Sequence, residues 1–197
     1  GSALFSPDGH WVVTASLDNT AQVWEAATGI QVSQPMMHKG SVESVQFSPD
    51  GRWVATASLD NTAQVWETAT GTPVSQPMMH KGSVESIQFS PDGRWVVTAS
   101  RDQTAQIWEA STGKMSSVPF KHQGSVSSAE FSSDGSYIMT VSSNFHIWKI
   151  TRFLESSKGF AEFLERVSGY VVNSKNALQA KYKDVTLSEL RDWVATN

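Results

Sequence analysis

The chain repeats itself with a period of 42 residues, and nothing else in it limits the possible folds as much. The unit running from Phe5 to Gln46 returns from Phe47 to Gln88 with six differences. It returns again from Phe89 to Glu130, and a shortened fourth copy runs from Phe131 to Trp148. Within a unit the punctuation is of the β type. Ser-Pro-Asp-Gly is turn chemistry, because Pro presets φ and Gly accepts φ > 0. The β-formers from Arg52 to Ser58 follow it as a strand. Asp60-Asn61 predicts the next turn, Thr62 to Trp66 the next strand and Ala69-Thr70-Gly71 a further turn. Val74-Ser75-Gln76-Pro77 reads as a short outer strand, where an edge position tolerates Pro, and the alternation from Ser83 to Phe89 opens the following unit. Each unit is thus four short antiparallel strands. One such sheet cannot bury both faces, so consecutive units must stack.

The spacing of His38, Val42, Val45, Phe47-Ser48-Pro49-Asp50-Gly51, Thr56-Ala57-Ser58, Asp60, Thr62, Val65-Trp66 and Thr70-Gly71 resembles the WD-repeat β-propeller family. Glu25, Glu67 and Glu109 replace the Asp of the name-giving dipeptide, and Met-His replaces Gly-His, without altering the strand pattern. The resemblance covers residues 3–149 and implies an all-β fold, a β-propeller of about four WD-type blades over 3–150, followed by a small C-terminal helical extension over 151–197. With its near-identical repeats, the chain is expected to be a bacterial member of that family.

Ser, His and Asp recur in every unit and invite a hydrolase reading, but a nucleophile site needs one constellation beside an oxyanion hole, not one per repeat. The resemblance instead implies a structural hydrogen-bond relay: His38, Ser58, Asp60 and Trp66 in one unit, His80, Ser100, Asp102 and Trp108 in the next. An imidazole, a hydroxyl, a carboxylate and an indole N–H can satisfy one another inside a sheet. Ser16, Asp18 and Trp24 have no preceding His, while the last unit offers His122, Ser142 and Trp148 with Asn144 in the Asp position. His10 and His146 stand outside the pattern and are expected to be exposed; the pairs Met36-Met37 and Met78-Met79 are expected between blades. His38, His80 and His122 are 42 residues apart without a second ligand at metal spacing, so no metal is expected. No cofactor is expected either.

Composition narrows the function classes. With no Cys, disulfide scaffolds, thiolate zinc sites, iron–sulfur centres and cysteine nucleophiles are excluded, which fits a cytoplasmic protein. A net charge of -4 supplies no global field for nucleic acid or an anionic membrane, and no apolar run reaches the roughly 20 residues of a membrane-spanning helix.

Past Trp148 the period stops. Phe160, Phe163, Leu164 and Val167 predict an amphipathic helix ending at Gly169, Tyr170 to Val172 a strand, and the capping box Thr186 to Glu189 a second helix carrying Leu187, Leu190, Trp193 and Val194. A helix of this extension reads as a cap over the last blade's open edge, with a docking helix for a partner as the alternative. Four blades are few for a family that commonly closes seven or eight. The chain is therefore expected to be a piece of a longer protein, or to form a homodimer that completes an eight-bladed ring.

The resemblance implies a non-catalytic protein-interaction scaffold. Its binding surface is the end bearing the fourth-to-first and second-to-third strand loops, which here carry Leu17, Ser41, Glu43, Leu59, Ser83, Glu85, Arg101, Ser125, Ser127 and Ser143. With Glu43 and Glu85 present, a basic or polar peptide is the expected partner. The alternative is a regulatory module of a larger signalling enzyme.

Overall fold

The computed structural model describes residues 2–150. The expectations for 151–197 lie outside the described residues. Among the described residues fifteen strands form four antiparallel sheets in chain order. The first blade contains β1 (Ala3–Phe5), β2 (Trp11–Ala15), β3 (Thr20–Glu25) and β4 (Met36–Met37). The second contains β5 (Val42–Phe47), β6 (Trp53–Ser58), β7 (Thr62–Glu67) and β8 (Met78–Met79). The third contains β9 (Val84–Phe89), β10 (Trp95–Ser100), β11 (Thr104–Glu109) and β12 (Phe120–Lys121). The fourth has three strands among the described residues: β13 (Ser128–Phe131), β14 (Tyr137–Val141) and β15 (Phe145–Lys149).

Local chemistry closes each hairpin. In the β5–β6 turn the Ser48 hydroxyl donates to Asp50 Oδ1 at 2.6 Å and accepts the Trp53 N–H at 2.9 Å, while Asp50 Oδ1 accepts the Arg52 N–H at 3.1 Å. At the opposite end Asn61 takes φ 72°, the left-handed conformation that a tight turn demands and Asn tolerates. The outer strand lies later than the sequence suggests. Val74 to Pro77 is not a strand: Ser75 Oγ accepts the Val65 N–H at 3.0 Å, so a side chain replaces a ladder bond there, and the pairing resumes at Met78–Met79.

The core lies between blades. Each blade presents a back face of small residues, Ala55, Ala57, Ala63, Val65 and Met78 in the second, to the front face of the next, where Ile87, Phe89, Val96 and Trp108 cover them. The same interdigitation joins the first blade to the second and the third to the fourth. In the methionine pairs, Met36 and Met78 are fully buried while Met37 and Met79 are exposed, because adjacent residues of a strand point to opposite faces.

Around the rim the chain approaches itself closely at Gly71. It has φ +73°, and a Cβ there would land on the Gln34 carbonyl oxygen of the preceding blade. Gln34 N–H donates to Thr70 O at 3.0 Å beside it, so this loop docks one blade onto the next.

Candidate functional site

The interblade relay is built from Thr, not from the serines that the spacing singled out. His38 follows β4 of the first blade but reaches into the second. Its Nδ1 lies 3.1 Å from Asp60 Oδ2 and its Nε2 2.7 Å from Thr56 Oγ1, and Trp66 Nε1 donates to Thr56 Oγ1 at 2.8 Å. The third blade repeats this with His80, Asp102, Thr98 and Trp108, at 2.9, 2.7 and 2.8 Å. Ser58 donates to the Gly40 carbonyl and Ser100 to that of Gly82, both at 2.9 Å, and each accepts the N–H of the turn aspartate. They brace the loop end and take no part in the indole–imidazole chain. The hairpin register could have revealed this: Trp66 lies opposite Val54, two residues from Thr56 and four from Ser58.

One proton arrangement satisfies every member. The indole N–H donates to Thr, the Thr O–H donates to Nε2, and Nδ1–H donates to the carboxylate, which requires a neutral imidazole. Electrostatics agree. Burial lowers the pKa of both His38 and His80, with their aspartates pulling the other way. Burial also works against the charges of Asp60 and Asp102, but hydrogen bonds from Thr62 and Lys39, and from Thr104 and Lys81, hold both carboxyls below the ordinary range.

The relay is incomplete at both ends. In the first blade Trp24 donates to Thr14 at 2.9 Å, and no imidazole reaches them. In the fourth, Trp148 donates to Thr140 at 2.8 Å and Thr140 lies 3.0 Å from His122 Nε2, but His122 Nδ1 is buried without a partner. Asn144 does not stand in for the aspartate. Val141 pairs with Phe145, so the turn is two residues shorter than in the other blades and the Asp position is deleted. The same shortening brings His146 to the place of Gln106. It is half-buried rather than exposed, its ring centre 4.8 Å from that of His122 and stacked on Trp148 at 5.8 Å. His10 is exposed, beside Asp8.

At the loop end, several of the residues expected to meet a partner form a connected row. Ser41 Oγ donates to Leu17 O at 3.4 Å, and Ser41 O accepts the Leu59 N–H at 2.9 Å. Ser83 stands in the same way between Leu59 O and the Arg101 N–H. Leu17 is 70% and Leu59 38% exposed. Arg101 Nε donates to Glu85 Oε1 at 2.6 Å, so that carboxylate is already paired; Glu43, half-buried, has no ion pair among the described residues. Ser125, Ser127 and Ser143 are exposed, with Ser127 tied to Val141 O. Among the described residues no three His, Asp or Glu side chains converge as a metal site.

The model of the WD domain, G-beta repeat (WD40) matches four times, over residues 2–25, 31–67, 71–109 and 113–148. The chain belongs to the WD40 family. WD40 repeats generally mediate protein–protein interaction, and WD40 propellers are generally non-catalytic. Among solved structures, the chain is similar to the computationally designed Ika8 protein, with 24% identity and a TM-score of 0.67. The match covers 75% of this chain and 45% of that one, so the WD40 blades span less than half of the designed protein. No curated protein matches.

Proposed function

We propose that this WD40 chain is a non-catalytic scaffold that holds a peptide or protein partner on the loop end. The observation that carries this reading is the row of Leu17, Leu59 and Arg101, exposed at equivalent positions of three consecutive blades, the Leu59 and Arg101 loops being held in place by buried relays. Rigid loops lose little entropy on binding. The partner covers Leu17 and Leu59 with apolar side chains and brings a cation to Glu43, since Glu85 is satisfied by Arg101. Partners captured by the full chain are to be compared with those captured by the variant Leu17→Asp/Leu59→Asp/Glu43→Lys. Loss of a specific partner with unchanged thermal stability supports the site. Undiminished capture places it elsewhere.

A second reading concerns assembly. Phe5 is 69% exposed, whereas Phe47 and Phe89, at the same position of the unit, are 6% and 5% exposed beneath the preceding blade. The front face of the first blade therefore suits the fourth blade of a second copy in a ring of two chains. Light scattering tests this directly: a monomer of 21.5 kDa is incompatible with it.

A further inference from the structure

The loop end of the fourth blade keeps two hydrogen-bond donors that the repeat elsewhere directs at a single oxygen. In the second blade Asp60 Oδ2 lies 3.1 Å from His38 Nδ1 and accepts the Lys39 N–H at 2.8 Å. In the third, Asp102 Oδ2 lies 2.9 Å from His80 Nδ1 and accepts the Lys81 N–H at 2.9 Å. One unit later the corresponding pair is His122 Nδ1 and the Gln123 N–H. The shortened β14–β15 turn has removed their aspartate, and neither donor meets a carboxylate among the described residues.

The His122 imidazole is held as in the complete relays. Its Nε2 is 3.0 Å from Thr140 Oγ1, and its ring meets that of Trp148 at 76° with centres 5.8 Å apart, against 70° and 5.8 Å for His38 on Trp66. Nδ1 therefore faces the side where the aspartate stands in the other blades. With the Thr140 hydroxyl donated to Nε2, Nδ1 carries the ring proton, and His122 is only 9% exposed. The place of the missing turn is open. A Cβ on Gly40 or Gly82 would come 2.8 Å from the backbone nitrogen of Asp60 or Asp102, whereas one on Gly124 would meet nothing within 4 Å. The clamp between loop and turn has gone too: Ser58 and Ser100 donate to the Gly40 and Gly82 carbonyls at 2.9 Å, but Ser142 donates to Asn144 O at 3.1 Å.

We propose that the fourth blade takes at its loop end a carboxylate from a partner polypeptide, which occupies the place of the deleted turn aspartate and accepts hydrogen bonds from His122 Nδ1 and the Gln123 N–H. Two N–H groups aimed at one point suit an anionic oxygen better than a neutral one, because a charge-assisted hydrogen bond is the stronger. The His146 ring, its centre 4.8 Å from that of His122, is a neighbour that the complete relays lack, since the other three units carry Gln22, Gln64 and Gln106 at that position. The site lies at the end assigned to the partner but uses none of Leu17, Leu59 and Glu43, so either can fail without the other.

The test is an NMR titration of the full chain, following the Gln123 amide and Trp148 indole signals, with acetyl-Gly-Asp-Gly-amide, its Asn counterpart, and acetyl-Gly-Gly-Gly with a free C-terminus. At least one carboxylate peptide is expected to shift both signals saturably in the millimolar range, and their order identifies side chain or chain end as the source. The Asn peptide is expected to bind about fivefold or more weakly than the Asp peptide. Replacing Ser143-Asn144 by Arg-Asp-Gln-Thr, the turn that the third unit carries from Arg101 to Thr104, supplies the aspartate within the chain and is expected to abolish binding while raising the melting temperature. His146→Gln, the residue of the other units, is expected to keep it. An equal response to the Asn peptide, undiminished binding to the chain with the restored turn, loss of binding in His146→Gln, or no saturable response to either carboxylate peptide at tens of millimolar each overturns the proposal.

Discussion

The first and second repeat units differ at six of 42 positions, yet their aromatic residues live in different surroundings. Phe5 stands in solvent and Phe47 is buried; Trp24 is half-buried and Trp66 5% exposed. Among the described residues Asp18 meets only its own turn, through Ser16 and Thr20, whereas Asp60 also holds a histidine from the neighbouring blade. The difference is the covering blade. A WD40 sheet has the strands of a domain without a core of its own, and its stability belongs to the interface as much as to the sheet.

Paired substitutions turn that comparison into numbers. The largest contrast is expected between Phe47→Ala and Phe5→Ala. The first empties a packed interblade position and is expected to cost about 3–5 kcal/mol, the second under about 1 kcal/mol, measured by chemical denaturation. Similar losses at both sites would mean that Phe5 is covered in solution, as the two-chain ring requires. Gly71→Ala and Gly29→Ala come next. Both positions have positive φ, at about 1–2 kcal/mol of strain for a non-glycine residue, but Gly29 faces open space while Gly71 abuts Gln34. Gly71→Ala is therefore expected to cost about 1–3 kcal/mol more; equal melting temperatures would show that the rim loops do not dock. Third, Asp60→Ala leaves His38 Nδ1 and the Lys39 N–H without their acceptor, at about 1–3 kcal/mol, while Asp18→Ala is expected to change little because water replaces an exposed turn carboxylate.

Much of this was legible in the chain. The period gave the blades, because stacking is forced wherever one sheet must bury both faces, and the turn residues at Asp50-Gly51 and Asp60-Asn61 gave the hairpin ends. What escaped was register. Thr56 and Ser58 point to the same face of β6, so alternation cannot choose between them; the opposition of Val54 and Trp66 does. Ser75 was hidden for a related reason, since a hydroxyl that takes over a ladder bond leaves no trace in hydrophobic periodicity. The deletion in the fourth blade was visible as a shorter unit, but its consequence, a second histidine packed beside the first, needed the pairing of Val141 with Phe145. At the loop end the positions could be read and the Glu85–Arg101 pair could not, because side-chain pairing across a sheet is a matter of reach.

The smallest expected effect compares the fourth blade with the second. In both, burial lowers the pKa of the relay histidine, but Asp60 opposes that shift at His38, whereas at His122 no carboxylate does and the nearby His146 adds to it, bringing the value to about 4. An unfolded histidine titrates near 6.5, so between about pH 6.5 and 4 the unfolded chain binds a proton that the folded chain refuses at His122. The stability this group contributes is complete above pH 6.5 and is lost as the pH falls toward 4. The lowered aspartates act in the same direction but below their unfolded value near 3.8, outside that window. Denaturation curves at several pH values should therefore show stability declining from pH 6.5 to 4, with a shallower decline in His122→Gln than in His38→Gln. The absolute loss at pH 7 reports the missing Thr140 contact, while the slope reports the proton, so the two effects separate. Equal slopes in the two variants would show that the missing aspartate does not set the titration of His122, and that the fourth blade tolerates acid as well as its neighbours do.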